Sequence, residues 1–294
     1  MNLPRLSLPH PLRRKDDPPK HRFRKGIYIV PSLFTAANVF LGFYALMQAM
    51  EGTAAEAWRF DHAAKAIGFA VLFDSLDGFI ARMTKTSSDF GRELDSLADV
   101  ITFGVAPSLI GFLWGFHLLP PMTYQDWRVN LVQIGFIFSF VFLIAGACRL
   151  ARFNIQVNPQ PSNPGRPDRK YFVGMPIPAA AGVLASVVHL NRGQPLTTWW
   201  MATIWLALII TCSYLMVSTW RFFSIKGLKL NSQHPARLLL FIAALIGGIW
   251  YFSRWVLFGL AIFYMAAGIL WRLQWIFRRR PNAPPPLQEV SQTL

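Results

Sequence analysis

A polytopic, all-α bundle of about eight transmembrane helices with both termini in the cytoplasm is the fold this sequence predicts, and three observations lead to it. Of its 294 residues, 53% are hydrophobic and 15% aromatic, and the mean hydropathy of +0.35 lies above that of ordinary soluble domains. Apolar stretches long enough to cross a bilayer recur at residues 27–50, 60–82, 93–117, 129–151, 172–190, 198–220, 236–253 and 255–277. With these spans, every lysine and arginine of the 29 except Arg59, Lys65, Arg128, Arg192 and Arg254 falls on the side of the termini. The positive-inside rule makes that side the cytoplasm. The formal charge of +15, which in a soluble protein would suggest nucleic acid, here points to anionic lipid.

Residues 1–26 hold eight of the basic residues and five prolines but no apolar core or small-residue cleavage site, so they do not read as a signal peptide. They read as a basic cytoplasmic segment whose part nearest the membrane, Lys20-His-Arg-Phe-Arg-Lys25, rests on headgroups. The first span opens with Pro31 at a helix start and carries Thr35 and Asn38 on one face. Polar residues so placed can simply join helices or line a site. Residues 51–61 form a short polar connection.

The second and third spans carry the residues around which the chain is organised. Asp74 and Asp77 are i and i+3 on one helix, with Gly78 and Ala81 on the same face, and Arg82 follows. Gly91, Asp95 and Asp99 are successive i+4 neighbours on the next helix. Two antiparallel helices can therefore aim four carboxylates into one gap. A carboxylate at the bilayer centre costs roughly 2.5–3.5 kcal/mol even on the mild insertion scale, so four together need compensating cations. All-oxygen ligation suits Mg²⁺, Mn²⁺ or Ca²⁺. A helix-packing cluster or the ion path of a cation transporter would also place acids here, but neither explains glycines and an arginine at fixed offsets. Past Asp99, Gly104 and Pro107 are expected to interrupt the helix.

The fourth span ends in Cys148-Arg149-Leu-Ala-Arg152-Phe-Asn154. Two arginines three apart can snorkel to headgroups, or they can dock a carboxylate or phosphate through the guanidinium fork. A proline-rich loop, 157–170, leads to Gly174-Met-Pro-Ile-Pro178 and a fifth span rich in small residues. Residues 231–280 add further membrane helices, and the tail from 281 to 294 reads as disordered. Cys148 and Cys212, far apart in apolar stretches, exclude a disulfide framework, and the six histidines lack metal-ligand spacing.

The pattern D-x2-D-G-x2-A-R-x8-G-x3-D-x3-D over residues 74–99 resembles the signature of the CDP-alcohol phosphotransferase family. The likeness covers residues 27 to about 230, taken as the catalytic core. Within the family, Asp95-Ser-Leu-Ala-Asp99-Val, Phe103-Gly-Val-Ala-Pro107, Arg149-Leu-Ala-Arg152-Phe-Asn, Gly174-Met-Pro-Ile-Pro178 and Leu215-Met-Val-Ser218 are similar to the membrane-embedded, serine-using branch. The resemblance implies transfer of a phosphatidyl group from CDP-diacylglycerol to L-serine, with release of CMP, in a homodimer of the bacterial cytoplasmic membrane. It implies two divalent ions, one held by Asp74, Asp77 and Asp95 and the other by Asp74, Asp95 and Asp99, with Asp99 also the general base. It places Ser32, Thr35, Gly78, Arg82 and Ser88 on the CDP moiety, although Ser32 stands where the family commonly carries asparagine. Arg149 and Arg152 are the candidates for the acceptor. Glycerol 3-phosphate and inositol phosphate are the alternative acceptors.

Overall fold

The computed structural model describes residues 29–84, 89–121, 125–157, 171–223 and 235–277. The basic N-terminal segment, Ser88 and the C-terminal tail lie outside them. Helix α1 is Ile29–Met50, α2 Trp58–Thr84, α3 Asp89–Asp99 and α4 Ala106–Phe112. Helix α5 is Gln125–Val157, α6 Ile177–Leu190, α7 Trp199–Val217 and α8 Pro235–Phe277. The expected interruption beyond Asp99 takes the form of a π-helical turn, Val100–Val105, between α3 and α4. Pro107 has no N–H to give to the preceding turn, and it falls in the first turn of α4, where no such donor is required. A second π-helical stretch, Leu113–His117, follows α4.

Small residues let the first two helices approach closely. Ala45 and Ala49 of α1, and Ala63, Ala66 and Ala70 of α2, are all buried in one cluster. The core continues through Phe103, Phe116 and Phe142 and an edge-on pair, Trp114 and Trp205, whose ring centroids are 4.9 Å apart. Each buried indole is satisfied: Trp114 donates to the Gly193 carbonyl at 3.1 Å and Trp205 to that of Gly111 at 2.9 Å. The outside is apolar as well. Phe40, Phe43, Phe136, Phe140 and Ile204 are each more than half exposed, the surface that a lipid solvent requires.

Among the described residues, five helices are long and apolar enough to cross a membrane, with windows at Leu33–Met50, Phe90–His117, Trp127–Ile155, Trp199–Val217 and Gly247–Gln274. The eight expected spans differ from these for physical reasons. Helix α2 is long enough but carries Arg59, Asp61, Lys65, Asp74, Asp77 and Arg82. The fifth expected span, 172–190, is helical only from Ile177, because Tyr171–Val173 pairs with Arg221–Phe223 as a short antiparallel ribbon, β1 and β2. Gly174 follows with φ of +78°, and a Cβ there would lie 2.5 Å from the Met216 carbonyl oxygen, so only glycine fits. The last two expected spans form α8, whose 43 residues would reach about 65 Å if straight, twice the hydrocarbon thickness. It is not straight. Phe252 leaves helical geometry, with φ of −127° and ψ of 36°. A Cβ on Gly248 would lie 3.5 Å from the Val256 side chain, whereas residues eight apart in a continuous helix are separated by about 12 Å. The chain thus folds back on itself as a tight hairpin.

Two polar zones mark the ends of the bundle. At one end, Asp61 Oδ1 accepts from His189 Nδ1 at 2.5 Å, Ser253 Oγ meets His189 Nε2 at 3.0 Å, and Lys65 pairs with Asp61 at 2.7 Å. Arg59, Arg128, Arg192 and Arg254 sit on the segments that meet there. The aspartates of the signature lie at the other end, Asp74 being about 20 Å further along α2 than Asp61.

Candidate active site

Helices α2 and α3 bring Asp74, Asp95 and Asp99 together. Carboxylate oxygens from the three lie within 4.8 Å of one another, Asp74 and Asp95 half-buried and Asp99 buried. Asp95 and Asp99 meet Asp74 because i+4 spacing stacks them on one face of α3, while Asp74 comes from the facing helix. Oδ1 of Asp95 is buried and has no hydrogen-bond partner among the described residues. A buried carboxylate oxygen without a donor, in a group of three acids, is a place for a cation. The donor set is entirely oxygen, which fits Mg²⁺, Mn²⁺ or Ca²⁺ rather than a thiophilic metal. Asp77 lies one turn beyond Asp74 on α2; there only the backbone is described, as for Gly78 and Arg82.

The two arginines of α5 part company. Arg149 is 7% exposed, its guanidinium carbon 5.3 Å from the centre of the Phe153 ring, and it lies within electrostatic reach of Asp99, Asp74 and Tyr264. It does not snorkel. Arg152 instead donates to the Val217 carbonyl at 2.9 Å, capping the C-terminal end of α7. That bond turns Arg152 toward the helix end and leaves Arg149 beside the acids. Two residues on, Asn154 donates to Ser96 Oγ at 2.8 Å and ties α5 to α3.

Helix α1 closes another side. Thr35 is buried at 6% exposure, whereas Ser32 belongs to the stretch of α1 where the backbone alone is described. Asn38, one turn deeper, is fully buried, and neither amide atom has a hydrogen-bond partner among the described residues. Its backbone carbonyl accepts from Thr102 Oγ1 at 3.1 Å, fixing α1 against the π-helical turn. Thr102 is one turn past Asp99, and π-helical turns concentrate at functional sites. Sequence shows Asn38 as a companion of Thr35 but not as a site residue. The signal is its i+3 spacing.

The arrangement can hold a divalent cation between two helices, neutralise part of the surrounding charge with one guanidinium, and present polar groups from α1. Such a set is suited to holding a phosphate ester through a bound cation. Comparison with known proteins agrees. The sequence model of the CDP-alcohol phosphatidyltransferase family matches residues 28–203. A protein of Helicobacter pylori named CDP-diacylglycerol–serine O-phosphatidyltransferase is 37% identical over 254 residues, covering 85% of this chain and 92% of its own. Proteins of the same name from Bacillus subtilis and Saccharomyces cerevisiae are 33% identical over 196 residues and 35% identical over 162. The alignments cover 66% of this chain and 89% of the B. subtilis protein, and 54% and 52% for the yeast one.

Proposed function

The chain belongs to the CDP-alcohol phosphatidyltransferase family, and on that premise we propose that it transfers the phosphatidyl group of CDP-diacylglycerol to L-serine, releasing CMP. The observation that carries the reading is the convergence of Asp74, Asp95 and Asp99 within 4.8 Å, with Arg149 buried alongside. Similarity to proteins named for serine transfer supports the choice of acceptor.

Asp74, Asp95 and Asp99, joined by Asp77, would hold two divalent ions, Mg²⁺ or Mn²⁺, with Asp74 and Asp95 shared. When bound, such ions supply a clamp for the diphosphate and neutralise charge on the leaving phosphate. The remaining work falls to side chains. Thr35 and Ser32 of α1, Gly78 and Arg82 of α2, and Ser88 bind the CDP moiety and fix its phosphorus before the acceptor. Arg149 binds the serine carboxylate, for which a guanidinium fork is better shaped than an ammonium. Asp99 accepts the hydroxyl proton as the serine oxygen bonds to phosphorus and the bond to CMP breaks. Asp99 and Arg149 are the buried members of the group, while Asp74 and Asp95 remain half-buried.

The protein acts, in this reading, as a homodimer in a bacterial cytoplasmic membrane. It spans the membrane eight times, the α8 hairpin contributing two spans and α2 and α6 one each, with the termini and the aspartates on the cytoplasmic side. Residues 27–230 are the catalytic core and 231–280 an added membrane unit. The test is CMP release from CDP-diacylglycerol by purified protein offered serine, glycerol 3-phosphate or inositol phosphate separately. Serine alone should support turnover; release with either phosphorylated alcohol and not with serine would refute the assignment.

A further inference from the structure

We propose that Asn154 is a positioning residue for the acceptor end of the site: its bond to Ser96 sets the register of α5 along α3 that brings Arg149 level with Asp99. The inference rests on the reading of Arg149 as the partner of the acceptor. Four contacts fix that register, and each joins α5 to the rod formed by α3, α4 and the two π-helical stretches. Asn154 Nδ2 donates to Ser96 Oγ at 2.8 Å. A Cβ on Gly104 would lie 3.0 Å from the Leu143 side chain. Ser108 Oγ donates to the Ser139 carbonyl at 2.8 Å. A Cβ on Gly135 would strike the Phe116 ring. As the rod advances from Ser96 through Gly104 and Ser108 to Phe116, its partners step back from Asn154 through Leu143 and Ser139 to Gly135, as antiparallel neighbours must. On this ladder Asp99 falls between the first two rungs, opposite Arg149 and Leu150, both buried.

The rungs are not equivalent. Close packing at Gly104 and Gly135 lets the helices approach but admits sliding, whereas a hydrogen bond made at one atom does not. A slip of one helical turn, about 5.4 Å, would carry Ala145 or Phe153 to the level of Asp99 and take Arg149 away from it. The bonds of Ser96 and Ser108 bracket that level, and Ser96 is the nearer, lying between Asp95 and Asp99 on α3. Its hydroxyl is engaged twice, accepting from Asn154 and donating to the Arg92 carbonyl one turn back at 3.0 Å. Helix α3 has only eleven residues, so the bond holds the turn that carries the carboxylates rather than a remote part of a long helix. On the other helix, Arg152 ties the same turn of α5 to the Val217 carbonyl. Asn154 thus joins the acids to a segment that is already anchored.

The test is steady-state kinetics of the full chain in mixed micelles, with serine and CDP-diacylglycerol varied in turn and thermal unfolding recorded on the same preparations. Asn154→Ala and Ser96→Ala each remove the one bond. Each should raise KM for serine roughly three- to tenfold, the loss of one hydrogen bond, and leave KM for the lipid and Kd for CMP unchanged. The double variant should do no more than the larger single change, because both act through the same bond. Ser96→Thr keeps a hydroxyl at this position and should keep the serine KM near the wild-type value. A wild-type serine KM in both alanine variants, or additive effects in the double variant, would overturn the proposal. So would an equal rise in both KM values with lower thermal stability, which would make the bond a structural tie alone. Should Asn154→Ala not fold, Ser96→Ala removes the same bond from the other side and its serine KM decides. If the wild type uses another acceptor in place of serine, the functional reading fails separately, and the selective rise is expected in the KM of that acceptor.

Discussion

Replacing the two arginines of α5 one at a time should give opposite results, although sequence places them as equals. Arg149 is buried beside Asp99 and Asp74, while Arg152 is spent on the Val217 carbonyl. A charge-assisted hydrogen bond contributes about 1.5–3 kcal/mol, so Arg149→Ala should raise the serine KM roughly ten- to hundredfold. Arg149→Lys keeps the charge and loses the fork, and it should recover only part of that loss. Removing the cation also leaves buried acids uncompensated, so the alanine variant should be less stable as well, and the lysine variant is the cleaner measure. Arg152→Ala should leave the serine KM within about twofold and lower thermal stability by about 1 kcal/mol, the loss of one partly exposed bond at a helix end. Steady-state kinetics at saturating lipid, paired with thermal unfolding in detergent, separates the two. A serine KM that rises with Arg152→Ala and stays constant with Arg149→Lys would refute the division of labour.

Asp99→Asn should fold and bind CMP but release none from CDP-diacylglycerol, because an amide cannot take the proton; turnover near the wild-type rate would remove Asp99 from the role of base. Chelation should abolish activity, and added Mg²⁺ or Mn²⁺ should restore it. In metal titrations Asp74→Ala and Asp95→Ala should weaken binding more than Asp77→Ala, since the first two are shared between ions; the reverse order would reassign them. Gly174→Ala should cost about 1–3 kcal/mol of stability, because φ is +78° and the new methyl would strike the Met216 carbonyl; unchanged thermal unfolding would contradict that packing.

Helical spacing alone makes the centre of the site legible. Asp95 and Asp99 share a face whatever else the chain does, and Asp74 needs only an antiparallel neighbour to meet them. Local chemistry likewise forecasts the break after Asp99, where Pro107 cannot donate. What the sequence withholds depends on partners distant along the chain. The fate of Arg152 turns on where α7 ends, 65 residues away. His189 reads as one more interfacial histidine because Asp61 is 128 residues from it and Ser253 another 64. The reversal at Phe252, by contrast, is legible, for it falls where the expected spans 236–253 and 255–277 adjoin, with the Gly247-Gly248 pair four residues ahead of it. Residues 172–176 look like the start of a span by hydropathy, and only their pairing partner at 221–223 makes them a ribbon.

The central claim is that the aspartate cluster joins a phosphatidyl group to serine. The most direct measurement counts both products in one vessel: CMP and phosphatidylserine formed by purified protein from CDP-diacylglycerol, serine and a divalent ion. The account predicts one phosphatidylserine for each CMP, and neither product from Asp95→Ala. CMP formed without phosphatidylserine, or equal yields from the wild type and Asp95→Ala, would contradict it.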